Sequence, residues 1–137
     1  MDRKIDIHKA GGILIRDRKF LVSRTKGKSF FISPGGKLQM GETPEAALLR
    51  ELNEELGIEV AVPDLEEFGT FYAPAAEQED RLLRMDVFVV NKWDGEVRPS
   101  SEIEEIRWID SSSTGIPLGS IFEHEVLPRL RKEGLID

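Results

Sequence analysis

Apolar positions along the chain fall into short alternating runs broken by turn residues, with two stretches at helical spacing. Ala10-Gly11-Gly12-Ile13-Leu14-Ile15 reads as a strand, followed by a turn at Asp17-Arg18-Lys19 and a second strand over Phe20-Leu21-Val22-Ser23. Ser29 to Ser33 reads as a short strand ended by Pro34-Gly35-Gly36, a tight turn whose bare backbone can approach a metal or a phosphate. Thr43-Pro44 has the form of a helix start, Thr43 as N-cap and Pro44 in the first turn. The helix runs to about Leu56, with Gly57 as its left-handed stop and Ala46, Leu49, Leu52 and Leu56 on one face.

Further strands are predicted at Glu59–Val62, Leu65–Tyr72 and, longest, Leu82–Lys92. Asp94-Gly95 reads as a hairpin turn out of that strand, and Glu104–Ile109 as the last strand. An amphipathic helix at about Ile121–Lys132 closes the chain, with Pro128 bending or restarting it. Many strands with one central and one terminal helix predict an α/β (α+β) fold, a mixed sheet with helices packed on its faces. The 137 residues suit one domain, and there is no repeat or linker to divide them.

Composition narrows the chemistry. The chain has no cysteine and only His8 and His124, which excludes disulfide scaffolds, thiolate zinc sites and histidine-built metal clusters. The net charge of −7 argues against coating a DNA or RNA polymer. No apolar run reaches the roughly 18 residues that span a bilayer, and Met1 to Asp6 has no signal-peptide pattern, so a cytoplasmic location is expected. Residues 1–37 hold ten Lys/Arg against three Asp/Glu, whereas residues 38–137 hold nine against twenty-three. A basic third joined to an acidic remainder suits a phosphate ligand held between cations and metal-binding carboxylates, although an unevenly charged, solvated surface would read the same way.

Glu51, Glu54 and Glu55 lie within an arc of roughly 100° of the central helix, opposite Leu49, Leu52 and Leu56. Crowded carboxylates repel one another unless a cation neutralises them, and an all-oxygen donor set favours Mg²⁺, with Mn²⁺ as a substitute. Arg50, one turn before Glu54, is placed to orient a carboxylate.

These residues belong to a longer pattern over Gly36–Ile58: Gly36, five residues, Glu42, seven residues, then Arg50-Glu51-Leu52-Asn53-Glu54-Glu55-Leu56-Gly57-Ile58. At every position it resembles the motif of the Nudix hydrolases. The resemblance implies a Nudix fold, with the motif as loop–helix–loop in a mixed sheet sandwiched between helices. It also implies hydrolysis of a nucleoside diphosphate linked to another group X. On this likeness Glu54 and Glu55 are the principal Mg²⁺ ligands, joined by Glu51 and the Gly36 carbonyl. Glu51 resembles the residue often assigned as general base. The catalytic set is Glu51, Glu54 and Arg50, with Glu42 and Arg50 holding the ligands in place. Relatives place a base or extra ligand outside the motif, and Glu96, Glu102 and Glu105 are the candidates here.

Arg24, Lys26, Lys28 and Lys37 stand just before or within the motif and are candidates for substrate phosphates, or else solvated charges. Tyr72 and Phe71 are candidates to stack a base or to pack at the core's edge, while His8, His124, Trp93 and Trp108 read as structural. Substrate choice stays divided. MutT-like enzymes for oxidised guanine nucleotides carry an aromatic before Pro-Gly-Gly and a late asparagine; here Ser33 holds the first position, and the asparagines are Asn53 and Asn91. Pro74, sixteen residues after Ile58, resembles a proline of the ADP-ribose enzymes. The leading expectation is a nucleoside triphosphate giving monophosphate and pyrophosphate. The alternatives are ADP-ribose hydrolysis, a non-catalytic nucleotide sensor, or an interaction domain using an acidic helix. Homodimers are frequent in the family.

Overall fold

The computed structural model describes residues 4–75 and 78–137. Among these residues seven strands and two α-helices follow in the order β1 (Ile7–Ile13), β2 (Ile15–Arg16), β3 (Lys19–Thr25), β4 (Gly35–Lys37), α1 (Pro44–Leu56), β5 (Leu65–Ala75), β6 (Gln78–Val90), β7 (Ile103–Ile109) and α2 (Leu127–Lys132). One sheet has the order β4-β1-β6-β5, the other β2-β3-β7. β1 and β6 run parallel and the other pairs are antiparallel, so the fold is the expected mixed one.

Strand alternation divides the core in two. Phe20 and Val22 of β3 and Met85 and Val87 of β6 face Phe122, Val126 and Leu130 at the C-terminal helix. Leu21 between them, with Phe88 and Val90, faces Leu48, Leu52 and Leu56 of α1. Each sheet surface therefore carries its own helix, which is how the sandwich is made.

The helix ends match their local signals. The Thr43 hydroxyl accepts from the Ala46 N–H at 3.1 Å, and Gly57 adopts φ 70°, its N–H capping the Asn53 carbonyl. The buried face, however, is Ala47, Leu48, Leu52 and Leu56, with Leu49 only half-buried and Ala46 exposed. The stripe is rotated by a fraction of a turn from the expected one. Glu55, seven residues after Leu48, thus lies on the flank of the buried face rather than opposite it.

Four local expectations need correction. Ser29 to Ser33 forms no strand; it makes isolated bridges, Ser23 to Ile32 and Phe31 to Leu118. Gly35-Gly36 is not a free turn but part of β4, paired with β1 through Ala10–Gly36 and Gly11–Gly35. Glu59–Val62 gives one bridge to Asp94 and then a 3₁₀ turn over Val62–Asp64, since Pro63 cannot donate to a ladder. Asp94-Gly95 opens no hairpin: β7 pairs with β3 in the other sheet, a non-local contact that no local turn signal encodes. At the C-terminal end Pro128 has its predicted effect. A π-helical turn over Phe122–Val126 precedes α2, with the Leu127 N–H bonded to the Phe122 carbonyl five residues back.

Candidate active site

β4 is the hinge of the site because its glycines let α1 come close. A Cβ at Gly35 would stand 2.0 Å from the Ala10 carbonyl oxygen, and one at Gly36 would stand 2.6 Å from the Glu51 carboxyl. Gly35 also holds φ 150°, and its N–H donates to Glu55 Oε1 at 2.9 Å. The edge strand therefore holds Glu55 with its backbone and lets Glu51 pack closely over Gly36.

Glu51 and Glu55 are joined there by Glu102. One carboxylate oxygen of each lies within 4.8 Å of the others, close enough for all three to turn toward one cation. Glu102 comes from the turn before β7. The Lys26 N–H donates to its carbonyl at 2.8 Å, the Ser100 N–H to the Glu55 carbonyl at 2.8 Å and the Ser100 hydroxyl to the Glu54 carbonyl at 2.6 Å. Ser101 accepts φ 57° to complete the turn, and its hydroxyl donates to Glu102. Of the three acidic candidates outside the motif, only Glu102 reaches the cluster. Glu96 is held by Arg98, and Glu105 by Arg107 and Arg24.

The electrostatics suit a cation. Burial first, then the charges of Glu51, Glu102 and Glu54, push the Glu55 carboxyl up to about 8, against the opposing Gly35 hydrogen bond. Burial also raises Glu51, although Arg50 pulls the other way. Glu54 is not in this inner group; its side chain is 51% exposed on the rim, 3.4 Å from Arg50.

Arg50 is the clamp of the motif. Its guanidinium donates to both Glu42 oxygens at 2.8 and 2.9 Å, to Glu51 Oε1 at 2.8 Å and to the Lys37 carbonyl at 3.1 Å. The same pairing, helped by the Gln39 N–H, brings Glu42 down to about 2. Arg50 is thereby tied to the motif loop, to α1 and to β4 together.

On the other face of β4 and β1 lies a cavity of about 280 Å³, with Ile7, Phe30, Ile32, Leu83, Met85 and Phe122 as its apolar wall. Lys28 and Lys37 stand on it, as does Lys9. Arg24 does not line it, being taken up by Glu104, Glu105 and the Lys28 carbonyl. Lys26 is exposed beside it in sequence, and its backbone serves Glu102. Pro74 does line the cavity, whereas Phe71 packs into the core and Tyr72 points to solvent. Ser33 is buried beside Gly11, its hydroxyl without a hydrogen-bond partner.

Sequence reasoning passed over Lys9 and Phe30. Lys9 had a signal, because it interrupts the core-facing alternation Ile7, Gly11, Ile13. Arg16 stacks between Trp93 and Trp108, and His124 is on the surface near Glu123. His8 bonds to Asp86, which burial pushes upward but hydrogen bonds from His8, Thr70 and Arg84 hold below its usual range.

A carboxylate cluster on α1 and a cavity bearing Lys9, Lys28 and Lys37 make up the site. The family model described as the NUDIX domain matches residues 6–130. The chain is 40% identical over 101 residues to the 8-oxo-dGTP diphosphatase of Haemophilus influenzae, covering 70% of each chain. It is 30% identical over 102 residues to the ADP-ribose pyrophosphatase of Methanocaldococcus jannaschii, covering 72% of this chain and 59% of that protein. Among solved structures, a MutT NUDIX hydrolase from Burkholderia pseudomallei superposes with a TM-score of 0.75 at 23% identity, over 85% of this chain and 92% of that one. The chain belongs to the Nudix family and is an enzyme of it, a Nudix pyrophosphohydrolase. Among the described residues no helix is long and apolar enough to cross a membrane.

Proposed function

We propose that residues 1–137 act as one domain that cleaves the phosphoric anhydride of a nucleoside diphosphate linked to X, using Mg²⁺ or, in its place, Mn²⁺. The observation that carries this reading is the convergence of Glu51, Glu55 and Glu102 beside a cavity bearing Lys28 and Lys37. The donor set fits a hard divalent ion. It is all oxygen, it includes a buried carboxyl that stays protonated to about 8 without a countercharge, and a side chain at Gly36 would displace one ligand. Glu51, Glu55 and Glu102 would hold the ion with the Gly36 carbonyl, joined by Glu54 from the rim. When bound, such an ion neutralises phosphate oxygens and acidifies the attacking water.

The chain's own groups do the rest. The lysines orient the polyphosphate and offset its charge. A carboxylate of the cluster, Glu51 by the family likeness, takes the proton as water adds to one phosphorus and the bridging P–O bond breaks. Arg50 and Glu42 keep Glu51 in position. The leading substrate is a nucleoside triphosphate, yielding monophosphate and pyrophosphate, in keeping with the likeness to 8-oxo-dGTP diphosphatases. ADP-ribose is the second reading, favoured by Pro74 in the cavity wall and by the likeness to an ADP-ribose pyrophosphatase.

Incubation with Mg²⁺ and a panel of ordinary and oxidised nucleoside triphosphates, ADP-ribose, diadenosine polyphosphates and NADH, read by chromatography, tests the proposal. Monophosphate plus pyrophosphate supports the first reading, and AMP plus ribose phosphate the second. Turnover of nothing, by folded protein that still binds nucleotide, would replace both with a sensor.

A further inference from the structure

Among the described residues Lys9 is the one half-buried cation on the cavity, and its surroundings are unfavourable without an anion. It projects from the centre of β1 onto the face that carries Ile7 and Met85. Directly across the antiparallel ladder stands Lys37 of β4, so the two side chains rise side by side from paired positions. Like charges in that relation repel, and Lys28 adds a third on the same cavity. Neither Lys9 nor Lys37 has an ion-pair partner among the described residues. Burial, then the charges of Lys37 and Lys28, hold the Lys9 ammonium below its ordinary range, with Glu55 and Glu51 pulling it back.

A solvated surface lysine would turn outward and leave an apolar residue in this core-facing register. Lys9 instead lines the cavity with Phe30, Ile32 and Met85, near enough to Glu55 and Glu51 for their charges to act on it. A substrate whose anhydride sits at the carboxylates and whose nucleoside lies against that wall must pass a phosphate over the Lys9–Lys37 pair. We propose that Lys9, with Lys37, binds the phosphate that enters the cavity joined to the nucleoside, which makes Lys9 a substrate-binding residue. The inference rests on the proposed function for the nature of the ligand, but not on turnover.

The test is calorimetric titration of the full chain with an α,β-methylene nucleoside triphosphate, comparing wild type, Lys9→Met and Lys9→Arg. Mn²⁺ binding and thermal melting are measured on each. Lys9→Met is expected to weaken analogue binding by at least about tenfold, as loss of a charge-assisted hydrogen bond should. It should leave Mn²⁺ affinity within about threefold, flatten the salt dependence of analogue binding and keep or raise the metal-free melting temperature. Lys9→Arg, which keeps the charge, should recover most of the affinity. Analogue binding by Lys9→Met equal to wild type would overturn the inference. So would a loss shared equally by Lys9→Arg and accompanied by lower melting, since that marks a structural role. Hydrolysis by wild type with unchanged binding by Lys9→Met defeats this inference alone. Binding that depends on Lys9 in a wild type that hydrolyses nothing defeats the proposed activity and keeps the inference.

Discussion

Replacing Glu55 by glutamine removes an ionisable group from the flank of a buried helix face while keeping an oxygen for the Gly35 N–H. The two effects of that change should separate. Glu55 is 5% exposed, and its carboxyl is pushed from an ordinary 4.5 to about 8. A carboxyl whose pKa rises on folding favours the fold while protonated, so metal-free wild type should be most stable near pH 5. Stability should then fall as the pH rises from 4.5 toward 8. At about 1.4 kcal/mol per unit, the cost at pH 7.5 is about 4 kcal/mol. Burying the amide NH₂ takes back about 1–2 kcal/mol, leaving a net gain of about 2–3 kcal/mol for Glu55→Gln. With an unfolding entropy of about 2.1 cal/mol/K per residue, that is about 7–10 °C in melting temperature. Thermal melts in chelator at pH 5 and pH 7.5 measure it. The variant should exceed wild type at pH 7.5 and fall level with it or below at pH 5. Mg²⁺ should stabilise wild type and not the variant. A Glu55→Gln protein no more stable than wild type at pH 7.5, or a difference independent of pH, would refute the reasoning.

Four further outcomes follow from the packing around the site. Gly36→Ala should cost little stability, because the clash is with the end of the Glu51 side chain, yet lower turnover by displacing that carboxylate; melting and rate together check it. Gly35→Ala should fail to fold or lose more than about 3 kcal/mol, since the clash is with the Ala10 backbone, as urea titration would show. Leu52→Ala, fully buried beneath α1, should lose about 2–4 kcal/mol by urea titration while keeping its rate per folded molecule. Arg50→Lys keeps the charge but not the fork that joins Glu42, Glu51 and the Lys37 carbonyl. Its metal affinity or rate should fall about 10–100-fold, measured by Mn²⁺ titration and initial rates.

What the sequence made legible was written locally. Thr43, Pro44 and Gly57 mark α1 because caps and starts depend on adjacent residues, and the period-2 runs mark β3, β6 and β7 for the same reason. The orientation of α1 was not so written. Ala46 and Leu49 compete with Ala47 and Leu48 at helical spacing, and only the sheet decides between them. That rotation is what buries Glu55, so the most perturbed carboxyl of the site is a tertiary outcome.

Glu102 was one of three equal acidic candidates. The ties from Lys26, Ser100 and the end of α1 that select it join segments far apart in the chain. The sequence reads Gly35-Gly36 as a turn open to a metal or a phosphate, whereas their bare backbone meets Ala10 and Glu51. Their place in an edge strand depended on β1, and no turn signal separates the two cases. The Lys9–Lys37 pairing is likewise a matter of register.

Mn²⁺ binding followed by electron paramagnetic resonance, with hydrolysis measured on the same samples, tests the central claim most directly. Wild type, Glu51→Gln, Glu55→Gln and Glu102→Gln would be compared. The site described here predicts that wild type binds Mn²⁺ and hydrolyses substrate, and that the folded Glu51 and Glu55 variants lose both together. A folded Glu55→Gln protein that binds Mn²⁺ and turns over substrate like wild type would contradict it.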